Sequence, residues 1–423
     1  MQMAPSRSNS KPPQASSGEC GGLEPQGRWG SAQRTILFAC LAILATYLSL
    51  TVYAGSVITK ADPATALKLA PFNSSAQANW IDDRILAGGT GSELRAVAER
   101  AVRRDPLNTA AWRVLGLIEA SSGNPELALR IVSFANFLSR RDGVANLWLI
   151  ERYLQQNDLD NALKHYDYAL RSSLRTREQL LPRLVEATAE AQTIRPIADV
   201  LLASPDWAQD FFAAMNNLAP SGDNAAELIR ILKTEGFSGS FALPRYLPQR
   251  FAGMNDVEAA GKIYRLLGGG IPSSGRLDFV QEDPMQPFDW ELTNDQPLEA
   301  IALHDRGDAA QSILAINAEP DQVKSAAKRM LELKPGGYAL GTASVAVEGV
   351  APEYVAWRVT CNDGGAVLAE VRLAAPSRSR QTMTFDVPAN CPAQWLNLIV
   401  ATRSNPGAAQ LEITSPVLRP LSR

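Results

Sequence analysis

The chain has 423 residues, of which 46% are hydrophobic and 20% charged. This length is too great for one ordinary compact domain, and together with the globular composition it predicts two folded units with accessory segments. With 41 basic and 44 acidic residues and a net charge of -3, it lacks the basic excess that phosphate binding requires, which excludes nucleic acid as an expected partner. Its two histidines, His165 and His304, and four cysteines lack zinc-site spacing, so we expect no metal and no cofactor and interpret both histidines as solvated and incidental.

The first segment, residues 1–33, is rich in Ser, Pro, Gly and Gln and predicts a disordered tail. Residues 35–58 contain no charged side chain, and about 20 apolar residues suffice to cross a bilayer. We therefore predict a transmembrane helix over 35–58. A cleaved signal peptide ending at Val52-Tyr53-Ala54 is the alternative.

The charges that flank this stretch predict its orientation. Arg28 and Arg34 precede it, whereas Lys60 and Asp62 follow it, and basic residues favour the cytoplasmic side. We expect a single-pass protein of the bacterial inner membrane, with the amino terminus in the cytoplasm and the bulk in the periplasm.

Residues 62–270 have apolar residues three and four apart and short polar turns, a pattern that predicts helices. Self-comparison shows a 34-residue period, in which Gly123–Ala128 aligns with Asn157–Ala162. Beyond about residue 176 the period loosens, but further helices are predicted at 194–203, 207–217, 224–234 and 256–267.

The repeat resembles the tetratricopeptide family. The residues that carry the resemblance are Trp112, Leu115, Gly116, Ala128 and Ala135 in one repeat, and Tyr153, Ala162, Tyr166 and Ala169 in the next. This resemblance implies an α-solenoid of stacked hairpins whose concave groove binds peptides or protein surfaces. The candidate groove residues are Arg113, Trp148, Glu151, Arg152 and Gln155.

After Gly268-Gly269-Gly270 the sequence changes to short alternating runs, which predict an antiparallel β-sandwich of jelly-roll type over 275–420. The predicted strands are 288–292, 298–303, 312–316, 338–347, 354–361, 366–373, 382–387, 395–402 and 411–417. The runs Phe288–Leu292, Lys334–Tyr338 and Cys391–Leu396 are similar to those of the carbohydrate-binding-module-like sandwiches appended to bacterial repeat proteins. That resemblance implies a glycan ligand.

Alternation along the strands separates core from surface. Trp357 and Trp290 are predicted to lie in the core, with Phe288 on the same face as Trp290. The opposite faces offer candidate glycan contacts, which are Tyr354, Arg358, Trp395 and Asn397. Ordinary solvent-facing side chains are the alternative interpretation.

Two further features bear on chemistry. Cys361 and Cys391 lie at predicted strand ends, which favours a disulfide over two free thiols. Asp289 and Glu291 are interpreted as a solvated strand face. Paired carboxylates are, however, what a glycoside hydrolase would use.

We therefore expect a non-catalytic scaffold that binds envelope proteins through its repeats, sits at the cytoplasmic membrane, and contacts a polysaccharide during exopolysaccharide or cell-surface glycan assembly and export. The alternatives are a glycan-active hydrolase and a purely protein-binding scaffold whose sandwich caps the open end of the repeats.

Overall fold

The computed structural model describes residues 31–53, 62–71, 73–86, 91–237, 243–304, 311–341, 345–362, 365–373 and 381–421. Most of the predicted tail, residues 1–33, and the end of the predicted 35–58 span lie outside these ranges. The chain divides into two compact units, residues 1–114 and 115–423.

The first helix corrects the membrane prediction. Helix α1 (Ser31–Tyr53) includes residues 35–53 of the uncharged stretch. Among the helices in the described ranges, none is long and apolar enough to span a bilayer. The predicted transmembrane helix, and with it the inner-membrane location with a periplasmic bulk, is therefore wrong.

Helices then follow as far as residue 266. They are α2 (Pro63–Leu69), α3 (Ser74–Leu86), α4 (Gly91–Arg104), α5 (Thr109–Ser121), α6 (Pro125–Leu138), α7 (Gly143–Gln155), α8 (Leu159–Ser172), α9 (Leu174–Glu186), α10 (Ala191–Leu202), α11 (Ala208–Leu218), α12 (Gly222–Thr234), α13 (Leu247–Gly253) and α14 (Val257–Leu266). The helices predicted for the less regular part of the repeat region are all present.

The 34-residue period is visible in the helix boundaries. Helices α5 and α7 begin 34 residues apart, and so do α4, α6 and α8. The turn inside each hairpin has a left-handed residue at the same repeat position, Gly123 (φ 83°) and Asn157 (φ 57°), where glycine and asparagine are favoured. Gly116 permits a close helix crossing, because a Cβ there would lie 2.5 Å from Cγ2 of Val132.

The described residues after the last helix form strands and their connections. They are β1 (Gly275–Arg276), β2 (Glu291–Leu292), β3 (Asn294–Asp295), β4 (Leu298–His304), β5 (Ser312–Ala318), β6 (Val323–Leu331), β7 (Gly336–Gly341), β8 (Val345–Gly349), β9 (Tyr354–Cys361), β10 (Val367–Leu373), β11 (Thr382–Val387), β12 (Gln394–Ala401), β13 (Ala409–Thr414) and β14 (Val417–Pro420). In the described ranges they form antiparallel sheets with the orders β1-β14-β7-β11, β10-β9-β12-β6-β2 and β3-β4-β5-β13-β8. The α-then-β prediction is confirmed at this level, with helices followed by a β-sandwich-like region.

Strand β6 was missed by sequence reasoning. Its sequence, VKSAAKRML, is rich in helix-forming residues. It nevertheless pairs with β12 along its whole length and with β2. Tertiary pairing therefore overrides local propensity.

The core of the β region and that of the helices meet at residues 285–290. Trp290 packs with Phe279 and Trp357 at centroid distances of 5.0 Å and 5.9 Å, as predicted for a core residue. Phe288 instead joins the helical core, where its ring lies 5.1 Å from that of Tyr264. The prediction that Phe288 and Trp290 share one strand face is wrong, because only Glu291 and Leu292 are in strand β2.

Candidate functional sites

Helix α7 carries an exposed apolar stripe on one side. Its amino terminus is capped by Asp142, whose Oδ1 accepts a hydrogen bond from the backbone N of Ala145 (2.9 Å). One face, which includes Leu149, is buried. On the other face Val144, Leu147 and Leu154 are 47%, 40% and 46% exposed. These spacings of three and seven residues align them along one side of the helix.

This stripe forms part of a groove, which we call the α7 groove. Its volume is about 750 Å³, and it is lined by Leu117, Val144, Leu147, Trp148, Ile150, Glu151, Leu154, Gln155, Tyr166, Leu180 and Arg183. The lining is apolar along its length, with an acidic side chain from α7 and a basic one from α9. Such a surface suits the apolar face of a peptide or helix.

The predicted groove residues divide into two groups. Trp148, Glu151 and Gln155 line the α7 groove together. Arg152 instead pairs with Glu126 (2.9 Å). Arg113 is only 5% exposed and forms an ion pair with Asp82, so its side chain is not presented to a ligand. Burial of both arginine stems is the physical reason for the difference.

Sequence reasoning missed Val144, Leu147 and Leu154 as groove residues. A signal was present, since the segment GVANLWLIERYLQ has apolar residues around most of the helix. A helix with apolar residues on two faces needs a partner for each face, either the core of its own protein or a bound ligand.

His165, interpreted above as solvated, lies in a buried polar cluster, and that interpretation is wrong. Oδ1 of Asn146 contacts Nδ1 of His165 (3.0 Å) and accepts a hydrogen bond from Nδ2 of Asn136 (2.7 Å). Tyr153 stacks on the imidazole at 5.6 Å. Burial, followed by the positive charge of Lys164, lowers the pKa of His165 to about 4, so the imidazole is neutral at pH 7.

The outer face of sheet β10-β9-β12-β6-β2 carries a ladder of polar residues, one from each strand. In order across the sheet they are Glu370, Arg358, Asn397, Lys328 and Glu291, each paired in register with the next. Arg358 contacts Glu370 at 2.7 Å and Lys328 contacts Glu291 at 3.0 Å. The charges on this face are therefore paired with one another.

The candidate glycan residues share this face but not one environment. Arg358 and Asn397 are direct neighbours in the ladder. Tyr354 lies at the far end of β9, where the guanidinium of Arg372 covers its ring at 4.4 Å. Trp395 packs against the helical core instead. Its ring is half-buried, and its indole N–H is donated to Oδ1 of Asn362 (2.8 Å), so this N–H is engaged within the protein.

Asn362 links the sheet to the helices. Its Nδ2 donates to Oδ1 of Asn255, in the turn before α14 (2.8 Å). It follows directly after Cys361, which forms the predicted disulfide with Cys391. The disulfide prediction is therefore confirmed. The bond joins two segments that both approach the helical region, one through Asn362 and the other through Ala393, which lies in the helical core two residues after Cys391.

Asp289 lies at the same junction. Its Oδ1 accepts hydrogen bonds from the hydroxyl of Tyr264 (2.6 Å) and Nε2 of Gln281 (2.8 Å), and its Oδ2 accepts one from the backbone N of Met285 (2.8 Å). Burial, followed by the hydrogen bond to Asp289, raises the pKa of Tyr264. The interpretation of Asp289 as part of a solvated face is wrong, because its carboxylate holds α14 to the β region.

The surroundings of Asp289 also bear on the hydrolase alternative. Glu291 is paired with Lys328. Arg329 is 3% exposed and donates a hydrogen bond to the carbonyl of Phe288. Its guanidinium lies 5.3 Å from the ring centroid of Trp290. Both carboxylates thus have structural partners. Within the ranges described, no cluster of three or more His, Cys, Asp or Glu side chains is arranged to hold a metal ion.

Comparison with known proteins gives little further guidance. No protein-family model matches the chain, and no curated protein matches it. Solved structures with partial similarity include one described as "CBM4 structure and function" (12% identity, 33% of this chain and 93% of that one, TM-score 0.23). The enzymatically active domain of tailspike protein 4 from bacteriophage CBA120 is 11% identical over 34% of this chain and 22% of that one, with a TM-score of 0.22.

A cyclase from Fischerella sp. TAU is 12% identical over 35% of this chain and 96% of that one, with a TM-score of 0.22. At these TM-scores the similarities carry no argument about function.

Proposed function

We propose that the chain is a non-catalytic scaffold of tetratricopeptide-like hairpins that binds a partner protein through the α7 groove. The observation that carries the proposal is the exposed apolar stripe Val144, Leu147 and Leu154 facing a groove of about 750 Å³. Exposed apolar side chains are normal when scattered, but a row of them lining one groove is typical of a binding surface.

The occupant that fits this groove is a peptide segment of a second protein with apolar residues three and four apart. Apolar anchors at this spacing match the stripe on α7, as in helix-in-groove recognition. Glu151 and Arg183 provide opposite charges on α7 and α9, which favours a segment with a basic residue near one and an acidic residue near the other. Charge complementarity would set its direction in the groove.

In this proposal the β region is a cap for the last hairpin. Helix α14 shares a core with Met285, Phe288, Met330 and Ala393 of the β region, and Arg265 on α14 forms an ion pair with Glu332. A terminal helix pair in a repeat array needs such a cover for its apolar face. A narrower role in cell-surface glycan assembly and export stays a prediction from the sequence resemblance.

The test is affinity selection from a library of displayed peptides with the full chain, followed by titration of the selected peptides against variants. Leu147→Lys places a charge in the stripe and is expected to weaken binding at least about tenfold, the effect of losing one anchor residue. Leu127→Lys is the matched control, because Leu127 is 38% exposed but does not line the groove. It should change affinity by less than about twofold.

Charge reversal at Glu151 supplies the second readout. Glu151→Lys should shift the selected sequences from basic to acidic at one position while leaving the apolar spacing unchanged. Selection of peptides whose binding is indifferent to Leu147→Lys and Glu151→Lys would refute the assignment of the α7 groove.

A further inference from the structure

A second cleft lies in the helical region between α11 and α13, away from the α7 groove and the polar ladder. Its volume is about 670 Å³, and its lining includes Asn216, Asn217, Tyr246, Gln249 and Arg250. None of these residues belongs to the candidate sites described above. Three carboxamides around one aromatic ring give it a composition unlike that of the α7 groove.

The aromatic ring of this cleft is presented to solvent. Tyr246 is 65% exposed, although the residue after it, Leu247, is fully buried. Tyr246 is held in place through its backbone, since its N donates to Oδ1 of Asn216 (3.2 Å). The exposed ring therefore stands on a fixed backbone position at the start of α13.

The amides have complementary roles. Because Oδ1 of Asn216 accepts from the backbone, its Nδ2 is the group left to donate into the cleft. Asn217 is the reverse case, since its Nδ2 donates to the carbonyl of Ala213 (3.2 Å) and its Oδ1 is left to accept. Gln249 is exposed on the adjoining turn of α13 and offers both functions.

The electrostatics of the cleft disfavour a cationic ligand, and its one charged side chain is already engaged by backbone carbonyls. Arg250 contributes its charge, but its Nε donates to the carbonyl of Ala219 (3.0 Å) and its Nη1 to that of Asn217. The guanidinium thus caps the end of α11. No carboxylate is among the described residues that line the cleft.

We propose that this cleft binds a neutral saccharide. The ring of Tyr246 would stack on the apolar C–H face of a pyranose, and the carboxamides of Asn216, Asn217 and Gln249 would exchange hydrogen bonds with neighbouring hydroxyls, which both donate and accept. The proposal does not depend on peptide binding in the α7 groove.

The experiment is calorimetric titration of the full chain with three neutral probes, maltohexaose, laminarihexaose and chitohexaose, and with the acidic probe hexagalacturonate. Saturable binding of a neutral probe is expected. Tyr246→Ala and Gln249→Ala should each weaken it at least about tenfold, equivalent to about 1.4 kcal/mol. Tyr246→Phe keeps the stacking ring and should stay within about threefold of the wild type.

Tyr354→Ala is the matched control, since it removes a tyrosine from the sheet face that the sequence analysis favoured for glycan contacts. It should leave the affinity unchanged. Because Tyr246 and Gln249 are both exposed, unfolding midpoints identical to the wild type will confirm that the variants fold. Absence of saturable binding by all three neutral probes, stronger binding of the galacturonate, or loss of binding in Tyr354→Ala but not in Tyr246→Ala would overturn the proposal.

Discussion

Protonation of His165 is expected to destabilise the helical region in mild acid. The pKa of this residue is lowered from 6.5 to about 4, chiefly by burial. The unfolded chain therefore binds a proton between pH 6.5 and pH 4 that the folded chain does not. The contribution of His165 to stability is fully present above pH 6.5 and is lost as the pH falls towards 4.

The size of the effect follows from the two pKa values. Between pH 7 and pH 5 the free energy of unfolding should fall by about 2 kcal/mol through this residue alone. In His165→Gln the side chain has no charge to acquire, so that part of the pH dependence should vanish. The variant is also expected to be less stable than the wild type at pH 7, because the stacking with Tyr153 is lost.

Urea unfolding followed by circular dichroism at 222 nm, at pH 7, 6 and 5, measures this difference. His304→Gln is the matched control, because His304 is the other histidine of the chain and is exposed; it should retain the wild-type pH dependence. Equal pH dependence in the wild type and His165→Gln would show that the buried imidazole does not control acid stability.

Further substitutions test the packing described above. Gly116→Ala should destabilise the chain by about 1–3 kcal/mol, since the new methyl group would overlap the facing helix. Gly143→Ala has open space around it and should be neutral or stabilising by up to about 1 kcal/mol. The urea unfolding midpoints of the two variants will show this difference. Replacing both Cys361 and Cys391 by Ser opens a loop with a sequence separation of 30 and should cost about 3–4 kcal/mol; equal thermal stability of the double variant and the oxidised wild type would contradict this. Tyr264→Phe removes the hydroxyl that donates to Asp289 and should lower the free energy of unfolding by about 1–3 kcal/mol, and unchanged hydrogen exchange in helix α14 would argue against a role for this bond in the junction.

The junction between the helices and the β region has a consequence for binding. Asn362, the disulfide and the Asp289 network all lie where α14 and its preceding turn meet the sheets. These contacts combine a shared apolar core with hydrogen bonds and an ion pair. A binding event on the hairpins and one on the β region would therefore occur on one compact unit.

The sequence alone determined those features that depend on local periodicity. Apolar spacing and the 34-residue shift predicted the helix pairs, and alternation correctly separated Trp357 from Arg358 on strand β9. The positions of Cys361 and Cys391 at strand ends predicted their disulfide. Each of these signals is a short pattern in the sequence or the repetition of such a pattern at a fixed distance.

Tertiary structure decided what each face contacts. The uncharged stretch 35–58 has the composition of a membrane span, but none of the helices in the described ranges is long and apolar enough to cross a bilayer. The segment 323–331 has helix-forming residues and becomes a strand because β12 and β2 pair with it. The sequence predicted His165 and Trp395 to be surface residues, yet His165 is buried and Trp395 is partly buried against the helical core. Periodicity specifies that a face is apolar or polar, whereas the partner that covers it comes from a distant part of the chain, which no local pattern encodes.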